Sequence, residues 1–196
     1  MDLTGRNIVD CFIAEKALER VNGDTVFIFF EEDHLFVAIV DGAGHGQEAH
    51  SIALICREFI LTNKHMDLAA LMSELHEKIR GTRGGVAIIG KLDYETRQFR
   101  YVGVGNIYLR RFGRFSKHEI TQDGVIGYHI RTPQEKVIEM TGGDILILHS
   151  DGITSRFDVN DYPEILRDDA ETIANNLIEK FGKKNDDAAC AVIRFK

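Results

Sequence analysis

The stretch Phe36-Val37-Ala38-Ile39-Val40-Asp41-Gly42-Ala43-Gly44-His45-Gly46-Gln47 decides how this chain folds. Its apolar run, read as a strand over residues 34–40, is far too short to cross a membrane and suits a strand buried on both faces. A carboxylate and three glycines then lead into a helix starting near Gln47. Strand, glycine-rich turn and helix is also the order of a dinucleotide site, but the third glycine of GxGxxG is replaced by Gln47. A second helix, not a parallel strand, comes next, and no Lys-Ser/Thr pair follows the glycines to make a P-loop. What remains is a carboxylate at a strand end, beside backbone that can approach an ion or a phosphate.

Upstream, residues 7–16 and 24–31 read as strands, and Val26-Phe27-Ile28-Phe29-Phe30 is again apolar on both faces. Downstream, Ile52, Ile55, Cys56 and Phe59 recur at helical spacing, as do Leu68, Leu71, Met72, Leu75 and Ile79, with Asp67 placed as a cap. Strands return as Val86–Leu92 and Gln98–Val104 around the turn-like Asp93-Tyr94-Glu95-Thr96-Arg97. Tyr108–Phe112 and Phe115–Ile120 flank Gly113-Arg114 as a second hairpin. Ile145–Leu148 is a buried strand, residues 170–181 a helix with Ile173, Leu177 and Phe181 on one face, and Ala188–Phe195 a last strand. Strands in hairpins grouped around a helix pair give an α+β chain with antiparallel sheets.

The 196 residues carry no Pro- or Gly/Ser-rich linker and fit a single domain over 1–196. A net charge of −7 disfavours nucleic acid and anionic lipid as partners. Met1–Arg6 lacks the basic and apolar regions of a leader, so a soluble, cytoplasmic protein is expected. Cys11, Cys56 and Cys190 form no CxxC pair and read as small hydrophobes, not as zinc ligands or disulfides.

Asp41 is not alone. Asp151-Gly152 follows strand Ile145–Leu148, Asp24 opens strand 24–31, and Asp186-Asp187 opens the terminal strand. Each aspartate by itself reads as a turn or cap residue. As a set at strand ends they suit Mg²⁺ or Mn²⁺, hard ions that prefer oxygen and relieve carboxylate repulsion.

Gly23-Asp24, Asp41–Gly46, Arg80-Gly81-Thr82-Arg83-Gly84-Gly85, Tyr101–Asn106, Gly143–Gly152 and Asp186-Asp187 occur in the order found in the SpoIIE-type PPM serine/threonine phosphatases, and from about residue 20 onward the chain resembles that family. Its short form is most similar to the stressosome branch. The resemblance implies an αββα sandwich of two antiparallel sheets flanked by helices, with metals at one end. It implies Asp24, Asp41, the Gly42 carbonyl, Asp151 and Asp186 as ligands of two Mn²⁺ or Mg²⁺ ions. Asp186 matches the final ligand better than Asp187. Gly23 stands where relatives can carry another acid, which is expected to leave more room for water. The implied activity is hydrolysis of phospho-Ser/Thr on a signalling partner, a STAS-domain regulator, by metal-activated water without a covalent enzyme intermediate. Catalysis then depends on Asp41 and Asp151 above all. The alternative is a module that binds a phosphoprotein without hydrolysing it.

Other residues draw attention for less. His45 is a candidate acid or ligand without a defined role, and His45 and His50 lack an HExxH context. Ser150 lacks GxSxG, His149 reads as packing at a strand end, and Arg83 is a candidate phosphate contact. Arg110-Arg111-Phe112-Gly113-Arg114 reads as a solvated basic hairpin before a docking patch.

Overall fold

In the computed structural model, which describes residues 8–155 and 157–196, the chain alternates inward and outward side chains along strands buried on both sides. The elements are β1 (Val9–Lys16), β2 (Asp24–Phe30), β3 (His34–Gly42), α1 (Gly46–Thr62), α2 (Leu68–Lys78), β4 (Gly85–Asp93) and β5 (Gln98–Val104). There follow β6 (Tyr108–Phe112), β7 (Lys117–Glu119), β8 (Gly124–Val125), β9 (His129–Ile130), β10 (Lys136–Glu139), β11 (Ile145–His149), α3 (Ala170–Asn176) and β12 (Ala188–Phe195). Residue 7, expected to begin the first strand, and Met1–Arg6, read as lacking the features of a leader, lie outside the described residues.

Two antiparallel five-stranded sheets form, in the orders β1-β12-β11-β6-β7 and β10-β5-β4-β3-β2. The period-2 alternation of β3 explains the layering. Leu35, Val37 and Ile39 enter the core between the sheets, whereas Phe36, Ala38 and Val40 meet α1 and α2 on the outer face. In β11, Leu146 and Leu148 point into the same central core, while Ile145 and Ile147 pack with Ile173 and Ala174 of α3. Each such side chain, buried from water, stabilises the fold by about 1.5–3 kcal/mol. The result is the αββα sandwich that the resemblance implied. Among the described residues no helix is long and apolar enough to cross a membrane.

Several expectations change. The buried stripe of α1 is Ala49, Ile52, Ala53, Cys56 and Ile60, and Ile55 is 38% exposed. Ala49 lies against Gly42 and Gly23, and that close approach sets the rotation of the helix. The second hairpin is shorter than expected, pairing only Lys117–Glu119 with Leu109–Arg111 and leaving Phe115 exposed. The short β8–β9 hairpin and the edge strand β10 had too little apolar pattern to be predicted, since only Ile138 of β10 is buried. The basic run is not a uniformly solvated tip. Arg110 is buried between the Phe112 and Phe157 rings and donates to the Phe157 carbonyl, and Arg111 pairs with buried Asp144 at 2.7 Å.

Candidate metal centre

Asp41 does not follow its strand, as the apolar run suggested, but is its penultimate residue. The β2–β3 register sets it directly opposite Asp24. Antiparallel neighbours lie about 4.5–5.5 Å apart, so two carboxylates here repel each other strongly. The facing sheet brings up a second pair. β11 runs out into Ser150-Asp151-Gly152, and Asp186-Asp187 precede β12, its neighbour in the sheet.

A cleft of about 270 Å³ opens where the two sheets end, and Asp41, Asp151, Asp186 and Asn106 line it, with Ala43 and Gly44 at its wall. Asp24 lies beneath this lining and is only 6% exposed. Gly42, the expected carbonyl ligand, is buried one residue beyond Asp41, and its N–H donates to Gly23 O at 3.1 Å.

The electrostatics of the two pairs differ. Burial, then the Asp41 charge, pushes Asp24 up to about 8, against a hydrogen bond from Ser150. Burial, then Asp151 and Asp186, pushes Asp41 up to about 7. Among the described residues Asp24 Oδ2 is buried with no hydrogen-bond partner. In the other pair, burial raises Asp151 while Lys183 and Asn106 oppose the shift. The Asn106 amide donates to Asp151 Oδ2 at 2.5 Å, and Lys183 Nζ lies 3.9 Å from Asp151 and 3.7 Å from Asp186.

Asp186 and Asp187 part company. Asp186 faces the cleft, while Asp187 turns inward and accepts from the Leu18 and Gly23 amides at 2.7 and 2.9 Å. Its carboxylate therefore ties the β1–β2 connection to the start of β12. Gly23 is tightly packed, contrary to the expectation of extra room for water. A Cβ there would stand 2.8 Å from Asp187 Oδ2 and 2.9 Å from the Ala49 methyl. At Gly152 a Cβ would fall 1.7 Å from the Asp187 carbonyl, so only glycine allows the Asp151 turn to lie on the next strand.

The remaining candidates surround this cleft. His45 is exposed and bonded to Glu19 at 2.6 Å, and His50 Nδ1 meets the Asn22 carbonyl at 2.8 Å. Arg83 pairs with Glu48 at 3.0 Å, close to Gly44. His149 is fully buried, stacks on Tyr108, and donates from Nδ1 to the Ser150 carbonyl at 2.8 Å; burial pushes its pKa down to about 3. The Ser150 hydroxyl accepts from the Ala189 amide at 3.1 Å besides holding Asp24, so it is a brace in the site. Sequence reasoning assigned no role to Asn106 or Lys183, and it did not see Ser150 as a brace. Asn106 closes a quoted motif and could have been found there; Lys183-Lys184 reads only as a solvated pair.

Among the described residues no three His, Cys, Asp or Glu side chains close into a ready cage around one ion. The donors nevertheless fit Mg²⁺ or Mn²⁺. Such ions keep several waters and are held by one or two carboxylates, which the two pairs provide. An unpartnered, buried carboxylate oxygen beside a second carboxylate is the observation that favours a cation.

A family model described as "Stage II sporulation protein E (SpoIIE)" matches residues 31–196. The phosphoserine phosphatase RsbX of Bacillus subtilis (strain 168) is 26% identical over 143 residues, 69% of each chain. A solved structure from work on the bacterial stressosome, described as a modular system adapted to control secondary messenger signalling, is 27% identical with a TM-score of 0.87. It covers 95% of this chain and 99% of that one. A structure of RsbX in complex with magnesium, 18% identical, has the same fold with a TM-score of 0.85 over 96% of each chain.

Proposed function

The chain belongs to the SpoIIE family, and from that premise we propose that it is a Mn²⁺- or Mg²⁺-dependent phosphatase acting on phospho-Ser/Thr of a protein partner. The observation that carries this reading is the meeting of two aspartate pairs at one cleft, with a buried Asp24 oxygen left unpartnered. The name of the RsbX relative, a phosphoserine phosphatase, and the stressosome context of the 27% identical structure support it. The substrate is a STAS-domain regulator of stressosome type, met in the cytoplasm, and the whole of 1–196 acts as one domain.

In this mechanism Asp24 and Asp41 would hold cations from one sheet, Asp151 and Asp186 from the other, and the Gly42 carbonyl would add a ligand. Two bound ions would neutralise the phosphoryl oxygens and acidify the water that attacks phosphorus in line. Asn106 orients the Asp151 carboxylate through its hydrogen bond, and Ser150 helps to hold the Asp24 pKa down. The openness of the cleft suits a phosphorylated side chain carried on a folded protein. A non-catalytic phosphoprotein-binding module would not need four acids gathered this way. Hydrolysis of an aryl phosphate with Mn²⁺, repeated with a chelator and with Asp41→Asn, tests the proposal. Turnover abolished by both is expected, and metal-independent turnover would overturn it.

A further inference from the structure

The two aspartate pairs are neutralised differently, and the difference lies in one side chain. Lys183 sits on the segment between α3 and β12, where its place is fixed by backbone. Its N–H donates to the Gly152 carbonyl at 2.7 Å, and its own carbonyl accepts from Lys16 Nζ at 3.5 Å. Gly182 forms a bridge with Ile153, and the Thr154 N–H donates to the Phe181 carbonyl at 2.9 Å. The segment is thus strapped to the Asp151-Gly152 turn from both sides. The strap delivers the ammonium to within 4 Å of both cleft-facing carboxylates, at 3.9 Å from Asp151 Oδ1 and 3.7 Å from Asp186 Oδ2. Among the described residues Asp24 and Asp41 have no ion-pair partner of this kind, and Lys183 acts on Asp41 only weakly, as the last of the influences on it.

We propose that Lys183 is a built-in counter-ion of the Asp151–Asp186 pair, which competes with a divalent cation for these oxygens and so weakens metal binding in this half of the cleft. The inference rests on the metal-dependent reading above. An ammonium and a divalent ion cannot share the same two carboxylates without placing like charges a few ångströms apart. With its side chain 42% exposed, Lys183 can withdraw its flexible stem into solvent when a cation arrives. Without a cation it keeps the pair from repelling itself apart. The enzyme then trades affinity for a stable metal-free state and an ion that exchanges readily.

The test is calorimetric titration with Mn²⁺ alone, together with thermal melting in chelator. The proteins are the wild type, Lys183→Met, Lys183→Arg and the neighbour control Lys184→Met. Because the ammonium is partly solvated, Lys183→Met is expected to bind Mn²⁺ about three- to tenfold more tightly. It should also melt at a lower temperature in chelator, while Lys183→Arg and Lys184→Met stay near the wild type. Lys183→Gln, of similar length and uncharged, replaces the Met variant should that variant fail to fold. Unchanged or weaker Mn²⁺ binding in a folded, uncharged variant would overturn the role of Lys183 and leave the phosphatase reading standing. No Mn²⁺ binding by the wild type would overturn both.

Discussion

The two halves of the cleft use the same residue type under opposite conditions. Asp24 and Asp41 face each other across β2 and β3, are largely buried, and hold pKa values raised to about 8 and about 7. Asp151 and Asp186 lie outside regular strands, partly in solvent, with Lys183 and Asn106 already against them. A strand register cannot supply a cation between its own paired residues, whereas a loop can. The difference teaches that, among the described residues, the buried pair has no cation of its own close by, while the loop pair has a lysine beside it.

The strongest way to break that comparison is to remove a charge from the buried pair. Asp41→Asn should lower metal-dependent turnover by about 10³-fold or more with an unchanged circular dichroism spectrum. A variant with residual activity close to that of the wild type would dissolve the distinction. Asp187→Ala tests whether the inward neighbour of Asp186 is scaffold. It leaves the Leu18 and Gly23 amides without their acceptor, so urea unfolding should show a loss of about 2–4 kcal/mol.

The buried pair also sets a pH dependence in chelator-treated protein. A carboxyl whose folded pKa exceeds its unfolded value contributes stability that is fully present below the unfolded value and lost as pH rises through the folded one. With 3.8 as the ordinary value and about 7 to 8 in the fold, the melting temperature should fall between about pH 4 and pH 8. Asp24→Asn should flatten that decline more than Asp151→Asn does. A reversed order in the melting curves would place the strain in the loop pair instead. The smallest effect is expected at Asn106, which only orients a carboxylate. Asn106→Ala should cost about tenfold in turnover or Mn²⁺ affinity, measured by the same assay and calorimetry.

Much of this arrangement could be read from residues alone. The unbroken apolar runs Phe36–Val40 and Ile145–Leu148 mark strands buried on both faces, because a strand between two layers must be apolar throughout. Asp24, Asp41, Asp151 and Asp186 stand at the ends of apolar strands, where a shared sheet edge can gather them; the sandwich itself came from the family resemblance. Other features depend on distance in space. Whether Asp186 or Asp187 faces the cleft follows from which backbone amides lie within reach, and those belong to Leu18 and Gly23, more than 160 residues away in the chain. The buried face of α1 is set by the close approach of Ala49 to Gly23 and Gly42, not by apolar periodicity alone. Arg110 reads as solvated because its charge favours water, yet two aromatic rings and a carbonyl enclose it.

The sequence by itself determined the strands, the helices and the acids at their ends, since side-chain period and turn chemistry are local properties of the chain. Only the tertiary structure decided which acids share a register, which is spent on backbone amides, and which meets a lysine. Those outcomes depend on the packing of two sheets whose contributing segments are far apart in the chain.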